Sequence, residues 1–211
     1  MNKDINQAVE IIKGHGIIIY PTETFYALGG MGTSSNVVEK IVKIKGRPEH
    51  KPLPLVAGSM EQCLSVVYLD QEVIRLTEKF WPGPLSVLAR ARDMVPLGVK
   101  DSQGLVSIRV TPNPIAASLC IEAKCPLIAT SANFSGKEAS ASYKDIDHRL
   151  IKMCDLVMNS QHNKPAGRLP STLVKVTGLQ KIEILRPGEI TARQIQDQGW
   201  NIAQSQQGPG L

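Results

Sequence analysis

No apolar run in this chain approaches the roughly 20 residues that a membrane-spanning helix needs; the longest, such as 17–20, are strand-sized. The first residues carry neither a long apolar segment nor a small-residue cleavage site, so no secretory signal is expected and the cytoplasm is the expected compartment. Cysteine is scarce. Cys63, Cys120, Cys125 and Cys154 form no CxxC pair, which argues against a zinc site or a disulfide framework and for reduced core thiols. There is no GxxxxGK(S/T) loop, no GxGxxG after a strand, no HExxH and no GxSxG. His15, His50, His148 and His162 are scattered without a motif around them, which disfavours a nucleophilic triad or a zinc hydrolase.

What is present fits one compact domain. The chain has 211 residues, 42% of them hydrophobic, enough to bury a real core. Lys and Arg outnumber Asp and Glu by 24 to 19, a net charge of +5 that suits a polyanionic ligand without choosing between ATP, RNA and DNA. Apolar spacing predicts helices over 5–12, 36–44, 59–67, 70–80, 115–123, 144–153 and from Thr191 onward. Capping boxes are expected at Asn36 with Glu39, Ser59 with Gln62 and Thr191 with Gln194. Strands are predicted over 17–20, 53–56, 85–89, 106–110, 127–130, 156–158, 172–176 and 182–185. The interleaving gives an α/β chain with α+β-type layering around a mixed sheet, because several strands follow one another without a helix. A Gln-, Gly- and Ser-rich stretch over 199–211 reads as a flexible tail after a domain spanning 1–198.

Polar, glycine-rich and basic clusters repeatedly follow the predicted strands, where open α/β sheets bind ligands. Thr22, Glu23 and Thr24 open the first cluster, which ends in Gly29 and Gly30. Lys45, Arg47 and Lys51 form the second, suited to a phosphate chain but also to the dipole at a helix C-terminus. The third alternates hydroxyls and an amide, Thr130, Ser131, Asn133 and Ser135, before Gly136, a composition common in turns as well. Arg109 lies inside an apolar strand, where it needs either a structural ion partner or a ligand.

Taken in order, the segments PTETFYALGG, KGRPEHKPLPL, WPGPLSVLAR, SIRVTPNP, TSANFSG, PSTLV and LRPGEI resemble the YrdC-like family of threonylcarbamoyl-adenylate synthases over about 5–190. The resemblance implies a twisted mixed sheet flanked by helices, with a concave basic cleft. It also implies condensation of L-threonine, bicarbonate and ATP to threonylcarbamoyl-AMP and pyrophosphate, Mg2+ accompanying the ATP and no metal held by the protein itself. Downstream proteins would then move the threonylcarbamoyl group to tRNA. By position, Lys45 and Arg47 match the family's KxR pair and Ser131 and Asn133 its SxN pair, which bind ATP, the first two also as catalytic residues. Lys51 and Arg186 match further nucleotide contacts, and Thr24, Arg109 and Ser171, with Thr22 beside them, match positions that hold threonine. Ala27 stands where glycine is common, Pro170 where an acidic residue is common, and neither Val56 nor Ala57 supplies a histidine that some members use for threonine. The 25 residues after Arg186 imply the minimal, single-domain form. The alternative is a paralogue that binds tRNA or double-stranded RNA without synthase activity.

Overall fold

The computed structural model describes residues 3–46, 51–159, 165 and 168–203. The chain begins with α1 (Lys3–Lys13), the hairpin β1 (Ile18–Pro21) and β2 (Tyr26–Gly29), then α2 (Ser35–Lys45), β3 (Leu55–Ala57) and α3 (Met60–Val66). It continues through β4 (Val67–Tyr68), α4 (Gln71–Phe80), β5 (Leu85–Ala91), β6 (Leu105–Val110), α5 (Pro114–Ala123), β7 (Leu127–Ile128) and β8 (Thr130–Ser131). The last part is α6 (His148–Lys152), β9 (Leu156–Val157), β10 (Thr172–Gly178), β11 (Lys181–Arg186), α7 (Ala192–Gln196) and β12 (Asn201–Ile202).

The strands form two mixed sheets rather than one. The smaller has the order β8-β2-β1-β9, and the larger β12-β11-β10-β5-β6-β3-β7 with β4 paired to β5. The segment expected as one strand over 127–130 divides between them: Leu127 and Ile128 pair with β3, whereas Thr130 and Ser131 pair with β2. Gly29 makes this crossing possible, because a Cβ there would lie 1.8 Å from the Ile128 carbonyl oxygen. The Tyr20 hydroxyl donates to the same carbonyl at 2.8 Å. The second half of the first glycine-rich motif is thus occupied by close packing.

Both faces of β1 are buried, which explains its unbroken apolar run. Ile17 and Ile19 join a core between the sheets with Leu55, Val87, Ile108 and Val174. Ile18 and Tyr20 turn to a second core against α1 and α5, with Ile12, Leu119 and Cys120. Each large apolar side chain so buried contributes about 1.5–3 kcal/mol before conformational entropy is counted.

Local details refine the expected elements. Ser34, not Asn36, caps α2 by accepting from the Val37 N–H, and Gly46 ends that helix at φ 57°, a left-handed conformation that favours glycine. Ser59 caps α3 as expected, but the Gln62 side chain accepts from Gly58 and donates to the Cys120 carbonyl instead of closing a box. The box at Thr191 and Gln194 is complete. The helix expected over 144–153 is shorter, because a single 3-10 turn at Tyr143–Asp145 precedes a new cap at Asp147. Within the stretch expected as a tail, Trp200 is buried and Asn201–Ile202 pairs in parallel with β11. Residues 204–211 lie outside the described residues.

Candidate functional site

A cavity of about 630 Å3 lies where the turn after β1, the strands β5 and β6, and the segments around Ser131, Ser171 and Arg186 converge. Of the residues singled out in the sequence, Thr22, Thr24, Lys51, Arg109, Ser131, Ser171 and Arg186 line it. Lys45 and Asn133 stand directly behind Ser131, and Arg47 lies outside the described residues. The charged lining among the described residues is Lys51, Arg109 and Arg186 against one carboxylate, Asp101.

One end is built on strands. Arg109, in β6, donates from Nε to Glu23 Oε1 at 2.5 Å, and the Thr111 hydroxyl donates to Glu23 Oε2 at 2.6 Å. The Arg109 and Glu23 side chains are only 5% and 12% exposed, so this ion pair is largely shielded from water. Burial pushes the Glu23 carboxyl upward, but the Arg109 charge and the Thr111 hydrogen bond outweigh it and hold the group below its ordinary value. Arg109 is therefore both things that its position suggested: it has a structural ion partner, and it lines the cavity.

The adjoining threonines divide their roles. Thr22 Oγ1 donates to the Phe25 carbonyl at 2.7 Å and accepts from the Thr24 and Phe25 N–H groups, so it shapes the turn. Thr24 Oγ1 shares only a 3.2 Å contact with Thr22 Oγ1 among the described residues.

Farther along the large sheet, Ser171 Oγ lies 2.9 Å from Ser86 Oγ, and Arg186 Nη2 donates to both the Ser171 carbonyl (2.9 Å) and its hydroxyl (3.0 Å). Gly188 permits this arrangement, since a Cβ there would lie 2.2 Å from the Pro170 carbonyl. Partial burial, then the like charge of Arg109, lowers the Arg186 guanidinium from its ordinary value. Two guanidiniums that feel each other across a cavity form a natural seat for an anion.

The other end joins the last turn of α2 to β8 and the segment after it. Lys45, buried at the last residue of α2, donates from Nζ to the carbonyls of Ser131 (2.5 Å) and Asn133 (2.7 Å) and toward Asn133 Oδ1 at 3.4 Å. Ser131 Oγ donates to Asn133 Oδ1, and the Asn133 amide donates to the Lys137 carbonyl. The KxR and SxN segments, 86 residues apart, are thus joined through one ammonium.

Sequence reasoning placed Glu23 in the first polar cluster without giving it a role, and missed Ser86 and Thr111 as parts of this assembly. The signal for Glu23 was available: an arginine in an apolar strand demands a carboxylate partner. The four cysteines are free, and burial pushes Cys63 up to about 12 and Cys125 up to about 11, so neither is a thiolate at neutral pH. Among the described residues no group of three or more His, Cys, Asp or Glu could hold a metal ion, and no helix is long and apolar enough to cross a membrane.

Comparison with known proteins places this geometry. The Sua5/YciO/YrdC family model, described as "Telomere recombination", matches residues 10–188. Threonylcarbamoyl-AMP synthase of Psychromonas ingrahamii (strain DSM 17664 / CCUG 51855 / 37) is 32% identical over 147 residues, 68% of this chain and 77% of that protein. The uncharacterized protein YciO of Escherichia coli (strain K12) is 30% identical over 175 residues, 82% of this chain and 84% of that one. The crystal structure of Pyrococcus abyssi Sua5 complexed with L-threonine superposes with a TM-score of 0.86 at 27% identity, over 94% of this chain but only 58% of that one.

Proposed function

The chain belongs to the Sua5/YciO/YrdC family, and from that premise we propose that it is a threonylcarbamoyl-AMP synthase, an enzyme that condenses L-threonine, bicarbonate and ATP. The observation that carries this reading is that one cavity collects an arginine for a carboxylate, hydroxyls for a small polar molecule, and further cations with Ser131, itself bonded to Asn133, for a phosphate chain. The threonine complex of the Pyrococcus abyssi relative supports the amino-acid part of it.

The chemistry asks for positioning rather than a nucleophilic side chain. The neutral amine of threonine and bicarbonate form a carbamate, with loss of water. A carbamate oxygen attacks the α-phosphorus of ATP, the bond to the bridging oxygen breaks, and pyrophosphate leaves in line. Arg109 pairs with the threonine carboxylate through its Nη groups, while Thr24 and Ser171 orient the amino acid. Ser131 and Asn133 hold the phosphate chain, Arg186 and Lys51 offset its charge, and Mg2+ arrives with the ATP as part of the substrate. Arg47 remains a nucleotide-contact proposal. Lys45 keeps the Ser/Asn loop in register from behind. Enclosure by the cavity protects the carbamate and the mixed anhydride from water. Transfer of the threonylcarbamoyl group to tRNA by further proteins belongs to the same proposal.

The test is pyrophosphate release from the purified protein with ATP, L-threonine and bicarbonate, each omitted in turn. Release that requires all three supports the reading. Release that ignores threonine or bicarbonate contradicts it, and affinity for duplex RNA without any threonine binding favours the paralogue instead.

A further inference from the structure

Glu23 touches three things at once. It sits in the turn between Thr22 and Thr24, which line the cavity; it accepts from Arg109 Nε at 2.5 Å; and it accepts from Thr111 Oγ1 at 2.6 Å. The turn belongs to the small sheet and Arg109 to the large one, so this carboxylate is a strut between the two walls of the amino-acid end. A guanidinium can meet a carboxylate side-on, through Nε and one Nη, or end-on, through both Nη groups. Glu23 already holds Nε. Among the described residues no acceptor holds the Nη groups of Arg109.

We infer that Glu23 is the positioning residue of the amino-acid end: by holding Arg109 Nε it leaves only the end-on pair of hydrogens for a ligand carboxylate and sets the distance between that pair and Thr24. The inference rests on the reading of this end as a threonine site. Thr111 fixes the second carboxylate oxygen, so Glu23 cannot rotate away from Nε without losing a buried hydrogen bond. The strut also neutralises Arg109 before any ligand arrives, leaving a site that is directional more than it is strongly cationic.

The experiment compares binding of L-threonine and L-threoninamide, which lacks the carboxylate charge, to the full chain by calorimetry, with circular dichroism as a check on folding. Wild type is expected to prefer threonine by about 10- to 100-fold, the range for a charge-assisted hydrogen-bonded pair. Glu23→Ala is expected to weaken threonine binding and bring the ratio toward one, while ATP affinity stays within about twofold. Glu23→Gln keeps an acceptor for Nε and is expected to hold the ratio within about threefold of wild type. An unchanged ratio in folded Glu23→Ala, or a collapsed one in folded Glu23→Gln, overturns the inference. The Arg109 Nε–H resonance in a 15N spectrum reads the same arrangement without any substrate. A downfield, slowly exchanging signal in wild type that Glu23→Ala removes supports the strut; a signal at the free-arginine position in wild type overturns it. If wild type shows that signal yet binds no threonine, the threonine reading fails while the strut stands.

Discussion

The two ends of the cavity solve the same problem in opposite ways. At the proposed amino-acid end a side chain holds a side chain: Glu23, in the turn between β1 and β2, holds Arg109 near the end of β6, and the arginine also lines the cavity. At the proposed nucleotide end a side chain holds backbone: the Lys45 ammonium gathers the Ser131 and Asn133 carbonyls, and Ser131 lines the cavity. The difference teaches that a buried cation in a motif can be held by a carboxylate or can itself hold backbone carbonyls, and that its charge alone does not tell which.

The largest expected effect breaks the first end. Arg109→Leu leaves Glu23 buried without its partner, which costs about 3–5 kcal/mol at neutral pH. It also reverses a pH dependence. In wild type the Glu23 carboxyl lies below its ordinary 4.5, so its contribution is present above that pH and fades as pH falls through the lower folded value. Without Arg109, burial dominates and raises the group. The destabilisation should then be least in acid and grow as pH rises past 4.5, which thermal melts of both proteins from pH 4 to 7 would check.

Next comes the second end. Lys45→Ala strips the donor from two carbonyls and an amide oxygen, with an expected loss of about 2–4 kcal/mol of stability. Displacement of the Ser131 loop by an ångström is expected to lower turnover by about 100-fold or more. Threonine affinity should persist, whereas Arg109→Leu should abolish it. Equal loss of threonine binding in both would erase the distinction between the ends. Lys45→Arg is not expected to rescue, since a planar fork cannot replace a compact ammonium in that buried position.

Smaller changes sharpen the contrast within one turn. Thr22→Val removes the hydroxyl that shapes the turn and should cost about 1 kcal/mol in denaturant titration. Thr24→Val should cost less stability but raise the KM for threonine several-fold. The smallest effect expected is that of Ser86→Ala, about 0.5–1 kcal/mol, through loss of a partner for the Ser171 hydroxyl.

Much of this was legible in advance because it is written locally. Helical spacing placed α1, α4 and α5, and short apolar segments between turn residues placed β5, β6, β10 and β11. The division of 127–131 between two sheets was not legible, since it depends on Gly29 admitting a carbonyl from a segment about a hundred residues away. The same holds for Glu23 and Arg109, which are 86 residues apart: the arginine advertised its need, while the carboxylate sat in a polar turn that offers no periodic signal. Arg47 was legible as a motif residue but lies outside the described residues.

The most direct test of the account is a crystal structure of the protein with L-threonine and a non-hydrolysable ATP analogue. The account predicts the threonine carboxylate end-on against Arg109, with Thr24 and Ser171 beside the amino acid and the phosphates over the Ser131–Asn133 turn near Arg186. Threonine bound away from Arg109, or phosphates seated on Arg109 in its place, would contradict it.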